Sequence, residues 1–272
     1  MRAREYTEQK GMIIMSNKKP QGKKTDGKND RAVLIALIAA LVIVVAVVVV
    51  LVVSMANDVK EPPEAKTYDT TPLEEATRAD VTGAVDMAAV KAEIDSHKVK
   101  DFVEADGVTE YVMFNVKDYG SFVIRVRPDV APISARNFQN IVAQQLYNGS
   151  TFHRVMPNFM IQGGKVSVPV DPIKGEFAQN GVKNDLSHIA GVISMARTTV
   201  PDSATSQFFI SNDSSRTPAS LDGAYAAFGY VVAGMDTVMA ITNVELTYDA
   251  RGELSMPTST ILIENAYFVK LK

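Results

Sequence analysis

Hydrophobic and polar positions divide the chain into three textures. From Ala32 to Val53 there are 22 consecutive apolar residues without a charge, a Gly or a Pro. As a helix this run is about 33 Å long, enough for a hydrocarbon core of about 30 Å. Its many β-branched residues are indifferent helix formers in water, but in lipid the backbone must satisfy its own hydrogen bonds and the helix is enforced. A cleaved signal peptide has a shorter apolar region, about 7–15 residues. An uncleaved transmembrane signal-anchor over 32–56 is therefore the expectation, although Ser54-Met55-Ala56 has the small-x-small form of a cleavage site.

The second texture, 57–107, is polar and broken by Pro62, Pro63 and Pro72, as a stalk would be. Within it Met87, Val90 and Ile94 stand at helical spacing and predict a short amphipathic helix over Asp86–His97. The spacing leaves open whether that helix belongs to the stalk or packs on the domain downstream. From Glu110 the period becomes two. Val112, Phe114 and Val116, then Phe122, Ile124 and Val126, flank a Lys117-Asp118-Tyr119-Gly120 turn and predict a β-hairpin with one buried face. Pro132 opens a helix whose Ala135, Phe138, Ile141 and Val142 form one apolar stripe. Short strand-like runs come next, and Ile261 to Val269 would suit a closing strand.

Charge adds a direction. Residues 1–31 carry nine Lys/Arg against four Asp/Glu, a net +5, whereas residues 57–272 carry a net −8. The positive-inside rule puts the N-terminus in the cytoplasm and the region from 57 onward outside. The acidic outer portion argues against nucleic acid, since nothing offsets phosphate repulsion. Met12 and Met15 are alternative starts ahead of the Lys-rich stretch. The absence of cysteine excludes disulfides, thiolate metal sites and thiol nucleophiles. His97, His153 and His188 show no ligand spacing, so no metal and no cofactor is expected, and His153 reads as a packing residue.

Three segments carry the chemistry: Phe152 to Gly164 (FHRVMPNFMIQGG), Gly191 to Arg197 continuing to Ser206-Gln207-Phe208-Phe209-Ile210, and Leu221 to Gly229 (LDGAYAAFG). Taken together, and in this order, they resemble the cyclophilins, a class of peptidyl-prolyl cis–trans isomerases, from about Tyr111 to Val269. The Met195-Ala196-Arg197-Thr198 and Ser203-Ala204-Thr205-Ser206-Gln207 runs look most like bacterial members. The resemblance implies a mainly β fold, a closed antiparallel barrel of eight strands capped by two helices, over 108–272. Ahead of it the apolar run predicts one transmembrane helix.

Residue by residue, the resemblance implies that Arg154 is aimed at the prolyl nitrogen and that Gln162 holds the cleft and the substrate backbone. Phe159, Met160, Phe209 and Leu221 would form the proline pocket. The backbone of Arg197 would meet the preceding carbonyl, Gln207 and Ala196 would line the neighbouring subsite, and Tyr225 stands where many relatives carry a histidine. Taken singly, Arg154 would read as a solvated strand residue and Phe159, Met160 and Phe209 as core. Their joint pattern carries the reading.

The chain also departs from the family pattern. Lys165 and Val166-Ser167-Val168-Pro169 replace the usual Asp and glycine-rich loop, which leaves the conformation before Glu176-Phe177 open. Asn158 replaces a frequent Gly, and Asn also accepts a left-handed backbone. Ser220 replaces an aromatic residue ahead of Leu221, so cyclosporin binding is expected to be weakened. The function expected is acceleration of Xaa-Pro rotation in unfolded or nascent exported polypeptides at a cytoplasmic membrane, with the bilayer contacted through residues 32–56. Two alternatives stand beside it: a non-catalytic proline-segment binding or chaperone module, and a scaffold whose 57–107 segment recruits a partner.

Overall fold

The computed structural model describes residues 81–272 apart from Arg216. The leader, the expected anchor over 32–56 and the stalk up to residue 80 lie outside the described residues. Among the described residues no helix is long and apolar enough to cross a membrane.

The helices are α1 (Met87–Glu93), α2 (Pro132–Ala143), α3 (Thr217–Leu221) and α4 (Met235–Thr242). The strands are β1 (Phe102–Glu104), β2 (Tyr111–Val116), β3 (Gly120–Val126), β4 (Thr151–Met156), β5 (Met160–Gly163), β6 (Val192–Met195), β7 (Phe208–Ser211), β8 (Ala227–Ala233), β9 (Leu246–Tyr248), β10 (Leu254–Pro257) and β11 (Ile261–Leu271). Eight of them close an antiparallel barrel in the order β11-β2-β3-β8-β6-β7-β5-β4, with β4 returning to β11. Closure falls to β11. Its first residues pair with β4 (Ile261 with Phe152), a register shift between Ile263 and Asn265 turns it, and the remainder pairs with β2 and β1. A barrel leaves no free edge among its members, and the long final strand makes that closure possible.

The interior is aromatic. Phe114, Phe122, Phe138, Tyr147, Phe152, Phe208 and Phe228 are fully buried, with Phe114 and Phe122 stacked at 5.2 Å between ring centroids. Tyr147 would leave its hydroxyl unsatisfied there, and it donates instead to the Ser206 carbonyl at 2.8 Å. Helix α2 buries the predicted stripe of Ala135, Phe138, Ile141 and Val142. Its N-cap, Ala131, offers no side-chain acceptor. The buried carboxylate of Glu176 replaces it, accepting from the backbone N–H of Ile133 (3.2 Å) and Ser134 (2.8 Å).

Two findings differ from the sequence reading. The hairpin β2–β3 does not have a single buried face, because Met113 and Val123 on its outer side are buried as well. They are covered by residues upstream of the expected boundary at 108: Val90 and Phe102 are buried with them, and Val85, Met87 and Ile94 pack alongside. The second finding is that helix α1 lies on the barrel, which answers the question its spacing left open. Asp86 caps it by accepting from Ala88 and Ala89, and Glu93 pins its far end, receiving Arg125 Nη1 at 2.8 Å and the Tyr230 hydroxyl at 2.6 Å. The helix stops at Glu93 rather than running to His97. Asp95 adopts a positive φ, and the N–H groups of Asp95 and His97 turn to the Val231 and Val232 carbonyls of β8.

Candidate active site

Strand register builds the site. Arg154 on β4 stands opposite Gln162 on β5, and Gln162 stands opposite Phe209 on β7. Period-two alternation therefore sends Arg154, Gln162 and Phe209 to one face of three adjacent strands, while Val155, Ile161 and Phe208 turn into the core. The Gln162-Gly163-Gly164 run ends this row for a steric reason. Gly164 has φ +75°, and a Cβ there would fall 2.7 Å from the Phe208 ring.

Beside the row lies a small apolar cluster separate from the barrel interior. Met160, Phe209 and Leu221 are buried in it, with Met156, Phe159, Ala196 and Tyr225 packed against them. Asn158 supplies the turn that presents Phe159, with φ +59°, as expected of an Asn in place of Gly. The Tyr225 ring meets Phe209 edge-on at 5.5 Å. Arg197 covers the Tyr225 side of this cluster with its guanidinium. It stacks on Phe177 (4.9 Å) and Tyr225 (4.6 Å) and donates from Nε and Nη2 to the Ala224 carbonyl.

All ten residues singled out from the sequence (Arg154, Phe159, Met160, Gln162, Ala196, Arg197, Gln207, Phe209, Leu221 and Tyr225) line one cleft of about 510 Å³. A polar chain crosses its floor: Arg154 Nη1 donates to Gln162 Oε1 at 3.3 Å, and Gln162 Nε2 donates to Gln207 Oε1 at 3.1 Å. His153, read from sequence as a packing residue, lines the cleft as well. Partial burial, with Lys165 and Arg154 nearby, holds its imidazole below the usual histidine range.

Sequence reasoning missed the opposite wall. The hairpin β9–β10 contributes Asp249, Arg251, Ser255 and Met256 to the cleft, and its Glu253 reaches Arg154. Glu253 Oε2 receives Arg154 Nε at 2.6 Å and Oε1 receives Nη2 at 2.8 Å, a two-point ion pair. The guanidinium holds the Glu253 carboxyl down at about 2, and the carboxylate raises Arg154 further above its ordinary value. The only sequence signal for this wall is the Asp249-Ala250-Arg251-Gly252-Glu253 turn, which shows a loop and says nothing of a partner 99 residues away. The altered loop after Gly164 is also defined. Ile173 pairs with Ala204, and Asp202 Oδ1 accepts from Gly175 N (2.9 Å) and Asn180 Nδ2 (2.7 Å).

Comparison with known proteins agrees with this geometry. Residues 111–267 match the family described as cyclophilin type peptidyl-prolyl cis-trans isomerase/CLD. A peptidyl-prolyl cis-trans isomerase of Acinetobacter baylyi is 47% identical over 133 residues, 46% of this chain and 68% of the relative. Peptidyl-prolyl cis-trans isomerase A of Dickeya dadantii is 38% identical over 159 residues, 56% of this chain and 80% of the relative. The B isomerase of Escherichia coli is 38% identical, covering 54% of this chain and 93% of the relative. Among solved structures, a Cryptosporidium parvum cyclophilin superposes with a TM-score of 0.50 at 24% identity, over 60% of this chain and 98% of that one, a likeness of fold. The chain belongs to the cyclophilin-type peptidyl-prolyl cis–trans isomerases and is an enzyme of that class.

Proposed function

We propose that the chain rotates Xaa-Pro bonds in exported polypeptides as they fold beside the cytoplasmic membrane, with Arg154 as the donor to the prolyl nitrogen. An Xaa-Pro amide isomerises unaided over tens to hundreds of seconds, because resonance between nitrogen and carbonyl opposes rotation by about 18–20 kcal/mol. Twisting localises the lone pair on nitrogen, so a donor placed there stabilises the twisted state and leaves the planar one alone. Each tenfold in rate requires about 1.4 kcal/mol of such preference.

The observation that carries this reading is the row Arg154–Gln162–Phe209 across β4, β5 and β7. It sets a fixed cation beside an apolar recess of Met160, Phe209 and Leu221 that suits a proline ring. Arg154 is only a quarter exposed, so its hydrogen bonds compete weakly with water. Gln162 and Gln207 form the polar strip on which a substrate backbone can lie. No nucleophile takes part in this mechanism.

The setting rests on the sequence: a 22-residue apolar run behind a leader of net +5 and ahead of a portion of net −8. Proline isomerisation rates measured on the full-length chain and on Arg154→Ala test the chemistry. A fall of about 100-fold is expected, and equal rates would overturn it. Protease protection of the full-length chain in intact and in permeabilised cells tests the topology. Digestion of the region after residue 57 from outside is the expected result.

A further inference from the structure

The Arg154 guanidinium carries five N–H donors, and the structure accounts for four of them. Nε donates to Glu253 Oε2 at 2.6 Å, and Nη2 donates to Glu253 Oε1 at 2.8 Å and to Met156 Sδ at 3.0 Å. One N–H of Nη1 goes to Gln162 Oε1 at 3.3 Å. The second N–H of Nη1 has no partner among the described residues. That leaves one donor free, on the nitrogen that faces Gln162 across the cleft floor.

Glu253 is itself held in place. Asp249 Oδ1 accepts from the backbone N–H of Arg251 (2.8 Å) and of Glu253 (2.9 Å), and Asp249 Oδ2 accepts from Arg251 Nε at 2.9 Å. The Asp249 N–H donates back to the Glu253 carbonyl at 2.8 Å, and Gly252 closes the turn with φ +81°. Two residues along, Ser255 is buried and lines the cleft beside Met256. The loop thus presents a carboxylate in a set orientation to the side-on edge of the guanidinium.

We propose that Glu253 is a positioning residue for the isomerase reaction: its two-point hold on Nε and Nη2 fixes the plane of Arg154 and leaves Nη1 as the nitrogen that donates to the twisted prolyl amide. The inference deepens the reading of Arg154 as the donor and rests on it. A long, flexible arginine that is free to rotate would have to be ordered at each encounter; one clamped along its Nε–Nη2 edge is ordered before substrate arrives. The clamp also separates two tasks. One edge of the fork is structural, and the other meets substrate.

The test is a comparison of Glu253→Ala, Glu253→Gln, Arg154→Ala and the double variant in the full-length chain, with kcat and KM resolved. Glu253→Ala is expected to lower kcat about tenfold and to leave KM within about twofold, because the proline recess is untouched. Glu253→Gln keeps one oxygen acceptor and should recover part of the loss. The double variant should match Arg154→Ala, since a clamp with nothing to hold adds nothing. The ¹⁵N-resolved Arg154 Nε–H signal should exchange slowly with water in the wild type and rapidly in Glu253→Ala.

A Glu253→Ala rate at or above wild type would overturn the proposal and identify the carboxylate as a brake on the guanidinium. Additive losses in the double variant would overturn it in favour of an independent structural role. A silent Arg154→Ala would bring down the underlying reading of the donor. A silent Glu253→Ala beside a crippled Arg154→Ala removes the clamp alone.

Discussion

The two walls of the cleft are built by different means. The strand wall, β4–β5–β7, is a register: Arg154, Gln162 and Phe209 lie side by side because each is paired with the next across a hydrogen-bonded ladder. The hairpin wall, β9–β10, is a tether. Among the described residues its strands pair with each other alone, in a separate two-stranded sheet, and Glu253 reaches the opposite wall through its ion pair with Arg154. The strand wall inherits its rigidity from the barrel core behind it, whereas the hairpin wall touches that core through Leu246 and has its tip ordered by the Asp249 turn. A site assembled in this way has one wall whose disruption costs the fold and one whose disruption costs alignment.

Adjacent residues on β7 expose the first half of that contrast most sharply. Phe208 is fully buried and meets Phe114, Phe138 and Tyr147 with its ring, so Phe208→Ala should destabilise the protein by about 3–5 kcal/mol. Denaturant unfolding measures this directly. Phe209, one residue on, faces the cleft with Met160 and Leu221. Phe209→Ala should raise KM about tenfold at a smaller cost in stability, because the cavity it leaves opens into the cleft. If both substitutions cost stability alike, β7 carries no division between core and cleft.

The same contrast explains what could be read in the residues. The strand wall was legible because the FHRVMPNFMIQGG segment, two strands and their turn in 13 positions, resembles the cyclophilins residue by residue; periodicity by itself shows only which residues share a face. All ten expected site residues meet in one cleft, Arg154, Gln162 and Phe209 through strand register and the others at positions that the resemblance implies. The hairpin wall was illegible because no local pattern connects Glu253 to Arg154. Charged residues after a turn are usually solvated, and here tertiary placement alone turns one into a partner. The segment from Asp86 to Glu104 was half legible. The spacing of Met87, Val90 and Ile94 showed an apolar face, but what that face covers is the outer side of β2, β3 and β8, which no spacing reports.

The hairpin wall should also show itself in acid. The Glu253 carboxyl is held at about 2 by Arg154, far below its unfolded value near 4.5. A depressed carboxylate contributes stability that is fully present above the unfolded value and is lost as pH falls through the folded one. Wild type should therefore lose stability between about pH 4.5 and pH 2, and Glu253→Gln should lose about 1 kcal/mol less over the same window, the pair being partly open to solvent. Chemical unfolding at pH 5 and pH 2.5 compares them. Identical acid losses would mean that the ion pair is not formed in solution.

The smallest expected effect lies at neither wall but at the helix α3 beside the recess. Ser220 is exposed there and directly precedes Leu221, which is buried in the apolar recess. The resemblance to the cyclophilins implies an aromatic residue at this position, an edge of the recess that a large apolar ligand would use and that Ser220 does not supply. Restoring it with Ser220→Trp adds flat apolar surface next to the cleft, and an aromatic contact of this kind contributes about 1 kcal/mol. Cyclosporin should bind the variant roughly fivefold more tightly by calorimetry, whereas kcat/KM on a short proline peptide should barely change, because Arg154 and both walls are untouched. A parallel gain in catalysis would show that the edge serves the proline itself and that the cleft is incomplete without it.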